Sequence, residues 1–281
     1  MVKRDLPKSN GAAVQERASA QLVRLIGIMR RLRAPGGCDW DRAQTLLSLR
    51  PYLIEECYEV LEALESGSST EHCEELGDLL FQIVFQAQIA DESGEWDLAD
   101  VIEAIADKLE SRHPQIFGGE LPDSVTSETS PEDRWARIKA VEKEKKRGER
   151  VSVIDGVPRD APALLRAERI TEKASRIGFD WPDVEGVRAK VNEELGELDE
   201  AIRSGDPAAI EHELGDVFLT LTNLARHLQT PAEDSLRQAI RRFERRFLWL
   251  EEKLHENGKP TGGVATAEEL ESLWVQAKER V

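Results

Sequence analysis

The sequence predicts an all-α fold built from two tandem helical domains, and three observations lead to this prediction. Apolar residues follow helical spacing over most of the chain. No run of convincing alternation remains to form a sheet, since the β-branched cluster at residues 151–154 is too short. An acidic pattern, EECYE followed by ELGD, returns 138 residues later as EELGE followed by ELGD, at residues 55–59, 75–78, 193–197 and 213–216.

A duplicated domain explains the repeated acids better than coincidence does. The chain holds 55 Asp and Glu among its 281 residues, so a single EExxE on a solvated helix face would carry little information. A match of all five acids at one chosen offset has a chance probability on the order of a few in ten thousand. Basic pairs spaced i,i+4 recur as well, because Lys108 and Arg112 correspond to Arg242 and Arg246. A period this long indicates two copies of a domain, since solenoid repeats span about 20 to 50 residues.

The helical segments can be placed in order along the chain. In the first half they run from Leu22 to Leu32, from Leu49 to Leu64 with Pro51 in the first turn, and from Leu76 to Ile89. The third segment is the most apolar stretch of the sequence, which predicts a buried central helix. Its counterpart in the second half runs from Leu214 to Leu228.

Acidic and apolar residues occupy different faces of the first central helix. Glu75, Asp78 and Gln82 fall on one stripe, so the acids border a core and are partly desolvated. The other faces carry Leu79, Leu80, Ile83 and Val84. Two acidic helices side by side would gather at least four carboxylates, which repel by about 3 kcal/mol per pair at about 5 Å and an effective dielectric near 20. Such a cluster ordinarily implies a bound cation.

Composition predicts a soluble, cytoplasmic protein with small partners. Cys38, Cys57 and Cys73 are odd in number and lack CxxC spacing, which is typical of reduced thiols rather than of disulfides or zinc ligands. The N-terminus is polar and the sequence has no long apolar run, so we expect neither a signal peptide nor a membrane helix. A net charge of -17 disfavours nucleic-acid binding, because the phosphate backbone would be repelled. A small polyanion can still bind once divalent cations neutralise the carboxylates.

Loop and linker signals divide the chain. Glycine, proline and serine residues are frequent at 118–131, and a charged run at 143–150 leads into Gly156 and Pro158. We therefore predict a polar N-terminal tail at residues 1–19, a first domain at 20–145, a linker at 146–160 and a second domain at 161–281.

The residue types favour metal-assisted hydrolysis over nucleophilic catalysis. The candidate nucleophiles and bases, which lack a triad or elbow context, are Ser48, Ser152, His72 and His212. Neither a P-loop nor a Rossmann glycine motif is present. A di-iron carboxylate bundle would need Glu-x-x-His pairs where this chain has Glu75-x-x-Asp78 and Glu213-x-x-Asp216. The remaining alternative is a non-catalytic all-α interaction or regulatory protein whose acids form solvated helix faces.

The chain resembles the MazG nucleoside triphosphate pyrophosphohydrolases of the tandem-domain kind, from about Leu22 to Lys278. The first half carries LRPYLIEECYEVLEAL, EELGDLLFQIVFQAQIA and KLESRHPQIFGG, and the second carries VNEELGELDEAI, HELGDVFLTLTNLARHL and RRFERRF. The resemblance implies an all-α enzyme that uses Mg2+, with Mn2+ as a possible substitute, to hydrolyse (d)NTP to (d)NMP and pyrophosphate. It also implies nucleotide-pool house-cleaning, and a homodimer whose helices complete four-helix-bundle active sites.

Carried over to the second domain, the resemblance implies a complete set of site residues. The implied metal ligands are Glu194, Glu197, Glu213 and Asp216. Glu193 or Glu194 would accept the proton of the attacking water. The implied contacts are Arg242, Arg246 and Lys278 on the phosphates and Trp274 on the nucleoside, and Lys190 is a further predicted substrate contact.

In the first domain the resemblance implies an equivalent set. The metal ligands would be Glu56, Glu59, Glu75 and Asp78, and the substrate contacts Lys108, Arg112, Trp135 and Lys139. The sequence departs from the family pattern at Asp39, where proline is usual, and at Leu46, where histidine is frequent. These departures concern the pocket rather than the metal ligands. In the second domain Arg242 stands where a lysine is expected, which keeps the charge but changes the donor geometry. Because the first domain departs from the pattern around its pocket, catalysis is expected in the second domain.

Overall fold

The computed structural model of the protein is helical and contains no strand in the residues that it describes, which are 11–118, 134, 137–139, 141, 152–258 and 265–280. This confirms the predicted all-α fold. In the first half the helices are α1 Gly11–Arg33, α2 Asp39–Ala43, α3 Arg50–Ser66, α4 Ser69–Glu92, α5 Leu98–Arg112 and α6 Pro114–Phe117. In the second half they are α7 Ala163–Ser175, α8 Val184–Ser204, α9 Pro207–His227, α10 Ala232–Glu256 and α11 Ala267–Arg280. None of these described helices is long and apolar enough to span a bilayer.

The chain divides into two compact units, Met1–Lys139 and Ala140–Val281. This arrangement confirms the prediction of two tandem helical domains. Helix α1 begins at Gly11, inside the segment predicted as a polar tail. The linker and the domain boundaries predicted from the sequence stay predictions.

Each unit contains a tight antiparallel helix pair joined by the same kind of turn. Helix α3 ends at Gly67, whose φ of 73° is readily adopted by glycine, and Ser68 caps α4 by accepting from the Glu71 N–H. Helix α8 ends at Gly205 with a φ of 69°, and Asp206 caps α9 by accepting from the Ala208 N–H. The two units therefore share the turn as well as the acidic residues. In each unit this short turn determines how the two acidic helices face one another.

Packing around these helix pairs differs between the units. In the first unit α4 packs against α1, α3 and α5, and the buried cluster is Met29, Leu49, Val84 and Phe85. In the second unit α9 packs against α7, α8 and α10, and α10 also packs against α11. Helix α9 is thus covered on several sides by its own unit.

Part of the apolar surface predicted to be buried is exposed. Val84 and Phe85 of α4 are buried, but Leu80 is 41% exposed and Ile83 is 39% exposed. Phe218 of α9, in the other central helix, is 53% exposed. The prediction of a buried central helix is therefore only partly confirmed within a single chain. Each unit covers part of its central helix and leaves an apolar strip of that helix exposed.

Candidate metal and nucleotide site

The first unit gathers three of its four predicted metal ligands across the α3–α4 pair. Glu56 lies on α3, and Glu75 and Asp78 lie one turn apart on α4. One carboxylate oxygen from each of them lies within 4.8 Å of the other two. We call this group the first triad.

Burial and neighbouring carboxylates raise the pKa of two members of the first triad, Glu56 and Glu75. Partial burial raises the pKa of Glu56 above its usual value, the hydrogen bond from Gln82 opposes the rise, and the charges of Asp78 and Glu59 add to it. Partial burial also raises the pKa of Glu75, again with contributions from Glu59 and Asp78. Glu59 therefore lies near the triad although it is not a member. Clustered carboxylates of this kind are stabilised by a cation.

The second unit repeats the arrangement across the α8–α9 pair. Glu194 on α8 and Glu213 and Asp216 on α9 form the second triad, with one carboxylate oxygen of each within 4.8 Å of the other two. This triad is the more deeply placed one, since Glu194 is only 5% exposed. The exposed Glu197 lies beside it: desolvation by neighbouring groups raises the pKa of Glu197, Lys190 opposes the rise, and Glu194 and Glu213 add to it.

A lysine already compensates part of the charge of the second triad. The Nζ of Lys190 lies 2.8 Å from Oε1 of Glu193 and 2.9 Å from Oε1 of Glu194. The hydrogen bonds that it donates to Glu193 and Glu194 raise the pKa of Lys190. This places the two predicted proton acceptors and one predicted substrate contact in a single ion-pair network.

One contact to the second triad was not foreseen from the sequence. Nδ1 of His212 lies 3.4 Å from Oδ2 of Asp216, although the imidazole is 71% exposed. From the sequence, His212 was excluded as a nucleophile because it lacks a triad or elbow context. Its i,i+4 spacing from Asp216 was the signal that could have identified the contact.

The predicted phosphate and nucleoside contacts lie on the α10–α11 pair. Arg242 and Arg246 occupy α10, and Trp274 and Lys278 occupy α11. The Nε of Arg246 is buried and has no hydrogen-bond partner. Within the described residues, no hydrogen bond or ion pair joins these basic groups to the second triad.

An aromatic group lies beside these arginines. Phe243 contacts Trp274 with ring centroids 5.1 Å apart and stacks on Phe247 at 5.9 Å. Phe243 is 54% exposed, which is unusual for a residue of its size. Phe243 was not selected from the sequence. The available signal was its i,i+4 spacing from Phe247, which places both rings on one helix face next to Arg242 and Arg246.

The corresponding residues of the first unit are only partly described. Lys108 and Arg112 lie on the last turns of α5, and Lys139 is half-buried in a described helical stretch. Trp135 lies outside the described residues.

Comparison with known proteins assigns the family. The model of the MazG nucleotide pyrophosphohydrolase domain matches the chain twice, at residues 44–117 and 183–248. The chain is 44% identical over 254 residues to the nucleoside triphosphate pyrophosphohydrolase/pyrophosphatase MazG of Thermotoga maritima, covering 90% of this chain and 94% of that protein. It is 43% identical over 261 residues to the nucleoside triphosphate pyrophosphohydrolase of Escherichia coli K12, covering 92% and 97%. The two triads lie inside the two matched segments, and the chain belongs to the MazG family.

Proposed function

We propose that this protein hydrolyses nucleoside and deoxynucleoside triphosphates to the monophosphate and pyrophosphate, with Mg2+ bound at the second triad. The observation that carries the proposal is Glu194, a carboxylate only 5% exposed that lies with Glu213 and Asp216 on facing helices. Burial of a charge next to two like charges is unfavourable unless a cation compensates it. The names of the relatives from Thermotoga maritima and Escherichia coli support the reaction.

The donor set suits a hard divalent cation. Mg2+ prefers oxygen ligands at about 2.1 Å, so opposite ligands of one ion are separated by about 4.2 Å. The carboxylate oxygens of the second triad lie within 4.8 Å of one another, so small side-chain movements would bring Glu194, Glu213 and Asp216 to that spacing. Mn2+ has the same ligand preference and could replace Mg2+. Glu197, which lies beside the triad, is the fourth proposed ligand.

The α10–α11 pair supplies the groups for the rest of the substrate. Arg246 has a buried Nε with no hydrogen-bond partner, so a phosphate oxygen would satisfy a donor that the described residues leave unpaired. Arg242 and Lys278 add positive charge for the outer phosphates. Trp274 and Phe243 offer aromatic rings to the base. The same roles are proposed in the first unit for Lys108, Arg112, Trp135 and Lys139.

The second unit also contains the groups that the reaction requires. Bound Mg2+ would neutralise phosphate charge and lower the pKa of a coordinated water. Glu193 is exposed and Glu194 is buried, and either carboxylate could accept the proton of the attacking water. Lys190 bridges both of them, so its ammonium would hold the two carboxylates in place in the free enzyme and could exchange one of them for a phosphate oxygen when the nucleotide binds.

Assembly and cellular role complete the proposal. A homodimer would bury the apolar strips of α4 and α9, including Leu80, Ile83 and Phe218. It would also bring further helices next to each α3–α4 or α8–α9 pair to form four-helix bundles. Hydrolysis of free nucleotides in the cytoplasm is consistent with nucleotide-pool house-cleaning.

A direct assay tests the reaction. Pyrophosphate and monophosphate are measured with a panel of eight ribo- and deoxynucleoside triphosphates, first with Mg2+ and then with excess chelator. We expect pyrophosphate in a 1:1 ratio to monophosphate, and its loss with chelator. Production of orthophosphate and diphosphate would overturn the proposed cleavage site. No product from any nucleotide would instead favour a non-catalytic interaction protein.

A further inference from the structure

The outward side of helix α1 carries three arginines in one line. Arg17, Arg24 and Arg31 are spaced seven residues apart, so they lie on one helix face at intervals of about 10.5 Å. All three are exposed, and none of them forms an ion pair with a carboxylate among the described residues. We call this side of α1 the arginine face. Helix α1 carries no member of either triad, so the arginine face is separate from the proposed metal sites.

The charge of α1 is opposite to that of the protein as a whole. Helix α1 contains five arginines and one glutamate, whereas the whole chain has a net charge of -17. Exposed arginines on an acidic protein are ordinarily attracted to its own carboxylates. Because the three arginines of the arginine face have no such pair in the described part of the chain, their charge is available to an acidic partner.

Within the described residues, α1 packs against its own unit through its second half. Leu25 packs against the buried cluster that includes Met29, on the side of α1 opposite the arginine face. Residues 11–21, by contrast, are all exposed. Apolar side chains lie beside the arginine line, since Val23 is 69% exposed and Ile28 is 44% exposed. A face that combines charged and exposed apolar side chains suits a protein partner, because both kinds of contact contribute at interfaces.

The surface beside the arginine line is open enough for another helix. Ala20 and Gly27 lie between the arginines and Val23 around the helix, and a Cβ added at Gly27 would point into open space. Small side chains let the axes of two packed helices approach closely. A partner helix with glutamates seven residues apart would repeat the interval of about 10.5 Å, so each arginine would meet one glutamate. A membrane or a nucleic acid would instead bring its extended charge near the acidic remainder of the chain.

We propose that the arginine face is a docking surface for an acidic α-helix of a partner protein, with glutamates at seven-residue spacing. The arginines would form charge-assisted hydrogen bonds with these glutamates. Val23 and Ile28 would add apolar contacts, and Gly27 would let the two backbones approach. This interaction is additional to nucleotide hydrolysis, because the groups proposed for the reaction lie on other helices.

The test measures binding of a fluorescent helical peptide to the full-length protein by fluorescence anisotropy. The peptide spans about three heptads and carries glutamates seven residues apart, and a peptide of equal composition with the glutamates out of register is its control. We expect the in-register peptide to bind at least about tenfold more tightly, and its affinity to fall as salt rises. Arg17→Gln combined with Arg24→Gln and Arg31→Gln should weaken its binding by about tenfold.

Two further variants separate helix docking from general charge attraction. Arg159→Gln combined with Arg188→Gln and Arg280→Gln removes the same charge from exposed positions outside α1 and should leave binding unchanged. Gly27→Gln keeps every arginine and adds a neutral side chain in open space, so it should weaken binding about tenfold by holding the partner helix away. Circular dichroism verifies folding, and Gly27→Gln decides if the triple variant of α1 does not fold.

Several results would overturn the proposal. They are equal binding of the two peptides, no binding of either, wild-type affinity in a folded Gly27→Gln, and an equal loss in both triple variants. Tighter binding to phosphatidylglycerol vesicles or to an RNA duplex than to the in-register peptide would also overturn it. Pyrophosphate release should be unchanged in every folded variant. Its absence from the wild type would refute the proposed hydrolysis and leave the docking measurement as it stands.

Discussion

At the scale of single residues, burial determines how strongly each carboxylate needs a counter-charge. Glu194 has lost nearly all contact with water, and Lys190 provides the nearest compensation at 2.9 Å. Asp216 is half-buried, and its Oδ2 lies 3.4 Å from Nδ1 of the exposed His212 imidazole. The second triad therefore carries more negative charge than its neighbours neutralise, and removal of one carboxylate should affect metal binding more than folding.

The first prediction concerns the metal ligands. Asp216→Asn and Glu197→Gln each remove a charged oxygen ligand with little change in volume, so we expect kcat to fall at least about a hundredfold with the helical content unchanged. Pyrophosphate release and circular dichroism measure the two effects. Asp78→Asn and Glu59→Gln are the matched variants of the first unit. If these abolish turnover and the second-unit variants do not, catalysis lies in the first unit.

The second prediction separates phosphate contacts from base contacts. Charge-assisted hydrogen bonds to phosphate contribute about 1.5 to 3 kcal/mol, so Arg246→Ala should lower kcat/KM about ten- to a hundredfold for every triphosphate alike. Trp274→Ala should act unevenly, because stacking depends on the base. Kinetics with four deoxynucleoside triphosphates compare the two variants. A base-selective loss in Arg246→Ala with a uniform loss in Trp274→Ala would reverse the two assignments.

At the scale of helices, one loop connects the start of α8 with the end of α9, at the open end of the antiparallel pair. Trp181 packs against the first turn of α8, where a Cβ on Gly186 would meet its ring at 3.0 Å. The neighbouring Asp180 accepts a hydrogen bond from Nη2 of Arg226, and its Oδ1 lies 2.9 Å from Nε2 of His227, near the end of α9. Asp180 and Trp181 therefore hold the start of α8 against the end of α9.

The third prediction concerns pH and this loop. Burial alone would raise the pKa of Asp180, but the hydrogen bonds from Arg226 and His227 outweigh it and hold the pKa below its usual value. The resulting stability is present above pH 3.8, the ordinary pKa, and is lost as pH falls through the lower folded-state value. Asp180→Asn should lower the free energy of unfolding by about 1.5 to 3 kcal/mol at pH 7, with a smaller difference near pH 3.

Denaturation by urea at the two pH values measures that difference. Asp199→Asn, at an exposed position of α8, is the control and should change the unfolding free energy by less than about 0.5 kcal/mol. An Asp180→Asn effect that stays constant between pH 7 and pH 3 would mean that the carboxylate charge does not stabilise the loop.

At the scale of the whole molecule, exposed apolar side chains are the main unexplained feature of a single chain. Helix α9 exposes Phe218 at 53% and Leu221 at 43%, and α4 exposes Leu80 at 41%. These residues lie on the helices that carry the triads. A partner that covers the exposed strip of one unit would therefore lie close to the triad of that unit. Exposed patches of this kind mark interfaces more often than free surface.

The fourth prediction is therefore a homodimer in solution. Light scattering at micromolar, active concentrations should give about twice the 31.6 kDa chain mass. Phe218→Asp places a charge in the proposed interface and should shift the protein toward the monomer. Val23→Asp on α1, where the side chain is 69% exposed, is the control and should leave the dimer intact. A wild type that scatters as a monomer would contradict the proposal.

The sequence by itself determined the all-α class, the duplication and the family, because these depend on residue types and on spacing along the chain. Glu75 and Asp78 share a helix face from their i,i+3 spacing alone. The prediction that Glu56 lies near the acids of α4 assumed that the two acidic helices lie side by side. The structure confirms this arrangement of α3 and α4.

Only the tertiary structure decided how these residues differ in their surroundings. The burial of Glu194, the bridge from Lys190 and the unpartnered oxygen of Gln82 each depend on what the neighbouring helices cover. Helical spacing predicted that α4 is apolar on more than one face, but packing decided that Leu80 and Ile83 are among the residues left exposed. A helical pattern specifies which side chains share a face, but the distances between helices and the solvent that remains between them follow from packing of the whole unit.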